Sequence, residues 1–185
     1  GTDCDDTADD IYPEADETDW DGIDQDCDGF DRRGFTEISL GTDFACGLTD
    51  QGDIHCWGRN DKGQGDPAMS GAVDLTTGDV HTCAIDGDGL VYCWGSDTHS
   101  QLSVPAGSFE EISAGYFHTC GLTSAGNVDC WGSNANDQST PPLGTFSTIE
   151  SGGNFTCALD EYGYPECWGY DGNNLVFNTP NEAFV

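Results

Sequence analysis

The chain has 185 residues, 36% of them hydrophobic, and a formal net charge of −31 from four basic against 35 acidic side chains. So acidic a chain lacks the cationic face that phosphates require, so nucleic acid is not an expected partner, and an anionic membrane surface would repel it. Ten Cys, an even and high number, point to disulfides and an oxidising compartment, and no apolar run is long enough for a membrane-spanning helix.

Residues 1–34 form an acidic head. Fourteen of the first 33 residues are Asp or Glu, too polar a stretch to build a core of its own. Two features argue for order. Cys4 and Cys27 can close a loop, worth about 3 kcal/mol on the chain-entropy model. Asp24-Gln25-Asp26-Cys27-Asp28-Gly29 sets carboxylates at alternate positions before a Gly, as in the first half of a calcium loop. The twelfth position is Phe35 and not Glu, so the EF-hand pattern is incomplete and other donors must finish the shell. The expected ligands are Asp3, Asp5, Asp10, Glu17, Asp21, Asp24, Asp26 and Asp28, with Asp19 also within the segment. An all-oxygen set without His or Met suits Ca²⁺ better than copper.

Asp3-Cys4-Asp5-Asp6, Ile11-Tyr12-Pro13, Glu17 and the run Asp21 to Gly29 resemble the secreted metal-binding motif family named after the copper-binding protein MopE. The resemblance implies a bound metal. The family's additional Cys is replaced here by Trp20, which leaves Cys4–Cys27 as the one head pair.

From residue 35 the chain is periodic. Cys46, Cys83, Cys120 and Cys157 recur every 37 residues, as do Cys56, Cys93, Cys130 and Cys167, each of the latter opening a Cys-Trp-Gly. Strict repetition of this kind signals a repeat architecture. Four units are expected, 35–71, 72–108, 109–145 and 146–182. Ala183-Phe184-Val185 stands where a fifth would begin.

In the first unit Phe35-Thr36-Glu37-Ile38-Ser39-Leu40 alternates as a half-buried strand does. Gly41 follows, repeated as Gly78, Gly115 and Gly152, which suggests a bulge or a positive φ. Two further strands flank Asp50-Gln51-Gly52, a three-residue hairpin loop ending in Gly. A hairpin centred on Gln51 opposes Cys46 with Cys56. The same register opposes Cys83 with Cys93, Cys120 with Cys130 and Cys157 with Cys167, at a separation a disulfide can span. Trp57 then points to the face opposite Cys56. Both faces are apolar, as in a propeller blade covered on two sides. His81 and His118 share a repeat position with Phe44 and Phe155, so that position reads as packing.

Ser113-Ala114-Gly115, His118-Thr119-Cys120-Gly121-Leu122-Thr123, Gly126 to Gly132 and Gly63-Gln64 resemble the regulator of chromosome condensation repeats, in particular their secreted, Cys-paired branch. The resemblance implies β-propeller blades, commonly seven to a ring. Four copies are fewer, so the expected fold is all-β: four disulfide-stapled, propeller-type blades, open or completed by a neighbouring chain, with a calcium-loop head.

No residue set reads as catalytic, so the chain is expected not to be an enzyme. The expected role is an extracellular or cell-surface structural protein, stabilised by calcium and self-associating into a homo-oligomer or filament; a leader would then have been removed. The alternative is a secreted propeller that binds a protein or glycan through loops such as Asp97-Thr98-His99-Ser100.

Overall fold

The structure is a computed structural model; it describes residues 34–172 together with Ile11, Ala15, Gln25 and Cys27. The chain divides into two compact units, Gly1–Thr36 and Glu37–Val185.

Among the described residues the repeats form twelve strands in four sheets of three, each meandering in sequence order. The sheets are β1 (Phe35–Leu40), β2 (Phe44–Thr49) and β3 (Ile54–Gly58); β4 (Ala72–Thr77), β5 (His81–Asp86) and β6 (Val91–Gly95); β7 (Glu111–Ala114), β8 (His118–Leu122) and β9 (Val128–Gly132); β10 (Phe146–Ser151), β11 (Phe155–Asp160) and β12 (Pro165–Gly169). Each is one blade, and the four follow one another face to face.

The hairpin register is the one the sequence predicts. Cys46 opposes Cys56, Cys83 opposes Cys93, Cys120 opposes Cys130 and Cys157 opposes Cys167. All four pairs are disulfides, with Cα atoms 4.0–4.1 Å apart. The loop glycines Gly52, Gly89, Gly126 and Gly163 have φ of 80–82°, the left-handed residue that closes a three-residue hairpin.

The core lies between blades. The disulfide face of one blade meets the Trp face of the next. Phe44, Cys46, Leu48 and Ile54 pack on Ala72, Leu75, Ala84 and Trp94. Cys83 and Ile85 pack on Phe109, Ile112 and Trp131. Cys120, Leu122 and Val128 pack on Phe146, Ile149, Ala158 and Trp168. This is the arithmetic of a repeat protein, in which a unit acquires a core only from its neighbours.

Gly41, Gly78, Gly115 and Gly152 correct one expectation. None has a positive φ among the described residues, and the bulges fall elsewhere, at the starts of β4 and β10. These glycines are needed for close approach. A Cβ on Gly41 would lie 2.7 Å from the Gly78 carbonyl oxygen, and one on Gly78 would lie 2.5 Å from that of Gly115; one on Gly115 would overlap that of Gly152. Each inner strand ends against the backbone of the next, and no side chain fits between them.

Candidate functional site

The chemistry that recurs in this molecule is the blade junction, and three layers of polar contacts define it. The first is a Trp staple. The indole N–H groups of Trp94, Trp131 and Trp168 donate to the main-chain oxygens of Gln64, Gln101 and Gln138 in the preceding repeat, at 2.9–3.0 Å. The three Gln are fully buried. Their side-chain oxygens accept from the N–H groups of Lys62, His99 and Asn136, which folds each loop onto its own Gln.

The second layer is the buried His. His81 Nε2 lies 2.8 Å from Thr119 Oγ1, and His118 Nε2 lies 2.8 Å from Thr156 Oγ1, each pair spanning a junction. Burial lowers both pKa values to about 4, with His118 adding to the effect at His81. Both imidazoles are therefore neutral at pH 7. The position reads as packing, as its exchange with Phe44 and Phe155 implies.

The third layer runs along the inner strands. Carboxylates and hydroxyls on one inner strand accept from backbone N–H groups of the next, always 38 residues on. Ile112 N–H donates to Asp74 Oδ2 and Ile149 N–H to Glu111 Oε1, each at 3.1 Å. Thr77, Ala114 and Ser151 N–H donate to the hydroxyls of Ser39, Thr76 and Ser113, at 2.7–2.9 Å. Leu75 N–H bonds Glu37 in the same way. These edge N–H groups point away from their own sheet and would otherwise need solvent. Crowding of the acids shows in their ionisation. Burial, then Asp74, raises Glu37 to about 7 against the Leu75 bond; burial raises Asp74 despite bonds from Ile112 and Leu75.

The two ends of the described array carry half-junctions. On blade 1, Ile38 is 57% exposed, whereas its equivalents Leu75, Ile112 and Ile149 are 2%, 5% and 1% exposed. Leu40 is 74% exposed. On blade 4, Phe155, Cys157 and Leu159 are only half-buried, where Phe44, Cys46 and Leu48 are buried. At the inner-strand ends a cavity of about 300 Å³ is lined by Leu40, Thr42, Asp79, Tyr116, Ser151 and the paired glycines. Tyr116 meets Phe117 edge-on, and His99 lies 4.9 Å from Phe117, ring centre to ring centre. His99 therefore stacks on an aromatic ring and hydrogen-bonds Thr98.

The metal ligands expected from the sequence, Asp3, Asp5, Asp10, Glu17, Asp21, Asp24, Asp26 and Asp28, lie outside the described residues, as do Cys4 and the start of a fifth repeat at 183–185. Cys27 is described and is disulfide-bonded, with φ 63°. Among the described residues no three His, Cys, Asp or Glu gather as a metal site.

Residues 35–64, 72–101 and 109–138 match the regulator of chromosome condensation (RCC1) repeat family. The body of the chain is built of RCC1-type repeats. Its fourth blade, beyond those segments, has the same sheet, disulfide and Trp staple. Residues 3–31 match the MopE-type metal-binding motif family, named for copper binding. No curated protein matches the chain. Among solved structures, Prp20p of Saccharomyces cerevisiae is 15% identical with TM-score 0.73, covering 83% of this chain and 49% of its own. The ectodomain of the receptor kinase ACR4 from Arabidopsis thaliana is 26% identical with TM-score 0.67, covering 80% and 54%. That of CR4 from Physcomitrella patens is 28% identical with TM-score 0.61, covering 75% and 41%. The chain thus spans about half the length of the structures it matches. It is an RCC1-type propeller segment whose disulfides mark an oxidising environment, joined to a motif for metal.

The sequence shows the disulfides and the Trp face but not the Gln staple. Gln64, Gln101 and Gln138 recur at the repeat interval. A recurring polar residue in a loop gives no sign, by its type, that it will be buried.

Proposed function

We propose that this is an extracellular, non-enzymatic structural protein that associates with itself, with a head that binds Ca²⁺. The observation that carries the reading is the contrast between Ile38 and its buried equivalents. Every internal junction covers that position, and the end blades present the two complementary halves of the same junction. A contact between unlike faces is heterologous, and it grows into a filament wherever rotation does not close it.

Calcium is the ion chosen for the head because hard oxygen ligands are what residues 3–28 supply. At a charge of −31 a bound cation also relieves self-repulsion. The buried His, each turned to a Thr hydroxyl inside a junction, have structural employment, which favours a non-enzymatic role. Secretion accords with four disulfides in four blades.

Light scattering and negative-stain microscopy of the full chain, with Ca²⁺ and then with chelator, test this reading. Polymers that shorten on chelation are expected. A monodisperse monomer in both conditions removes it. The cavity beside Tyr116 and the His99–Phe117 pair favours a second reading, a module that captures a protein or glycan, for which glycan-array binding is the test.

A further inference from the structure

We propose that the blade 4 face of one molecule docks on the blade 1 inner strand of a second copy, with Thr148 and Glu150 accepting from the backbone N–H groups of Ile38 and Leu40. The proposal rests on the self-association reading above and specifies its junction.

The internal junctions supply the template. An acceptor on one inner strand receives the N–H found 38 residues later. Applied beyond blade 4 and carried back by whole repeats, that offset takes Thr148 to the place of Ile38 and Glu150 to the place of Leu40. Blade 4 has the acceptors for this. In blades 1 to 3 the order is carboxylate then hydroxyl: Glu37 and Ser39, Asp74 and Thr76, Glu111 and Ser113. Blade 4 reverses it. Thr148 donates its hydroxyl proton to Glu111 at 2.8 Å, which leaves its lone pairs to accept. Glu150 is exposed, next to Ser151, whose own N–H is already given to Ser113.

The apolar part matches: Phe155 and Leu159 on blade 4 are half-buried, and Ile38 is the residue that such a face covers at every internal junction. The junction is therefore the continuation of an interface the chain already makes three times.

The test uses the full chain and sedimentation velocity. Ile38→Arg spoils one face and Glu150→Arg the other, both at exposed positions; near-UV circular dichroism checks that each variant folds. Each variant alone is expected to associate about a hundredfold more weakly than wild type. Leu143→Arg, at an exposed loop position outside both faces, should associate as wild type does. An equimolar mixture of Ile38→Arg and Glu150→Arg retains one intact pair of faces and should give a 1:1 dimer that grows no further. If wild type forms a closed dimer that both variants abolish, the junction stands and the filament falls. If wild type polymerises and the variants polymerise equally well, or if two monomeric variants fail to pair on mixing, the junction is wrong while self-association survives. A wild type that stays monomeric removes both.

Discussion

Ile149 and Ile38 hold the same place in the repeat, yet one is 1% and the other 57% exposed. Their strands are alike in length, and both are the inner strand of a three-stranded sheet. The difference lies in the neighbour. Ile149 sits in a cluster with Cys120, Leu122 and Val128 from blade 3, whereas Ile38 belongs to no core cluster among the described residues. A blade is therefore half of two cores and the whole of none. Its sequence is written for a partner on each side, and stability accumulates by junctions.

That contrast can be broken by mutation. Ile149→Ala should cost about 4 kcal/mol, the range for a buried Ile whose site cannot collapse, and Ile38→Ala less than about 1 kcal/mol. Urea unfolding of dilute, monomeric protein measures both; equal losses would mean that the first blade is covered as the fourth is. A smaller but sharper probe is Gly115→Ala. The added methyl meets the His118 ring and the Gly152 carbonyl, and the backbone cannot retreat. A loss of about 3 kcal/mol is expected, against almost none for Gly34→Ala, which meets nothing within 4 Å. Trp168→Phe comes next. It removes a donor from the Gln138 carbonyl and leaves a void, for about 2 kcal/mol.

How much of this was legible in the sequence follows from the range of each interaction. The Cys46–Cys56 pairing and the φ of Gly52 are settled inside one hairpin, so spacing alone reveals them. The role of Gly78 is settled between blades: its Cβ would strike Gly115 of the next repeat, and nothing in the local pattern separates that from a bulge. The burial of Gln64 and the Asp74-to-Ile112 bond are hidden for the same reason, since each joins residues about a repeat apart. The donors expected at 3–28 rest on a motif alone, because carboxylate spacing names candidates and not the shell they would close.

The smallest expected effect concerns proton uptake at the junctions, and it sets the buried His against Glu37. His81 and His118 have folded pKa values near 4, below the ordinary 6.5. The unfolded chain binds protons first, so their contribution is complete above pH 6.5 and is lost as pH falls towards 4. By pH 5, about 1.5 units below the ordinary value, each has lost roughly 2 kcal/mol. Glu37, at the junction of blades 1 and 2, runs the other way. Its folded value of about 7 exceeds 4.5, so its contribution is complete below 4.5 and is lost as pH rises through 7. Acidification from 7 to 5 therefore loosens the two junctions that hold His81 and His118 while relieving the junction of blades 1 and 2. His118→Phe, which copies Phe155, should remove about half of the acid-side loss, because Thr156 keeps its contact with Ser151. Glu37→Gln should instead flatten the neutral side. Thermal unfolding from pH 4 to 8 measures both slopes. If His118→Phe leaves the acid slope unchanged, the buried imidazoles do not govern it.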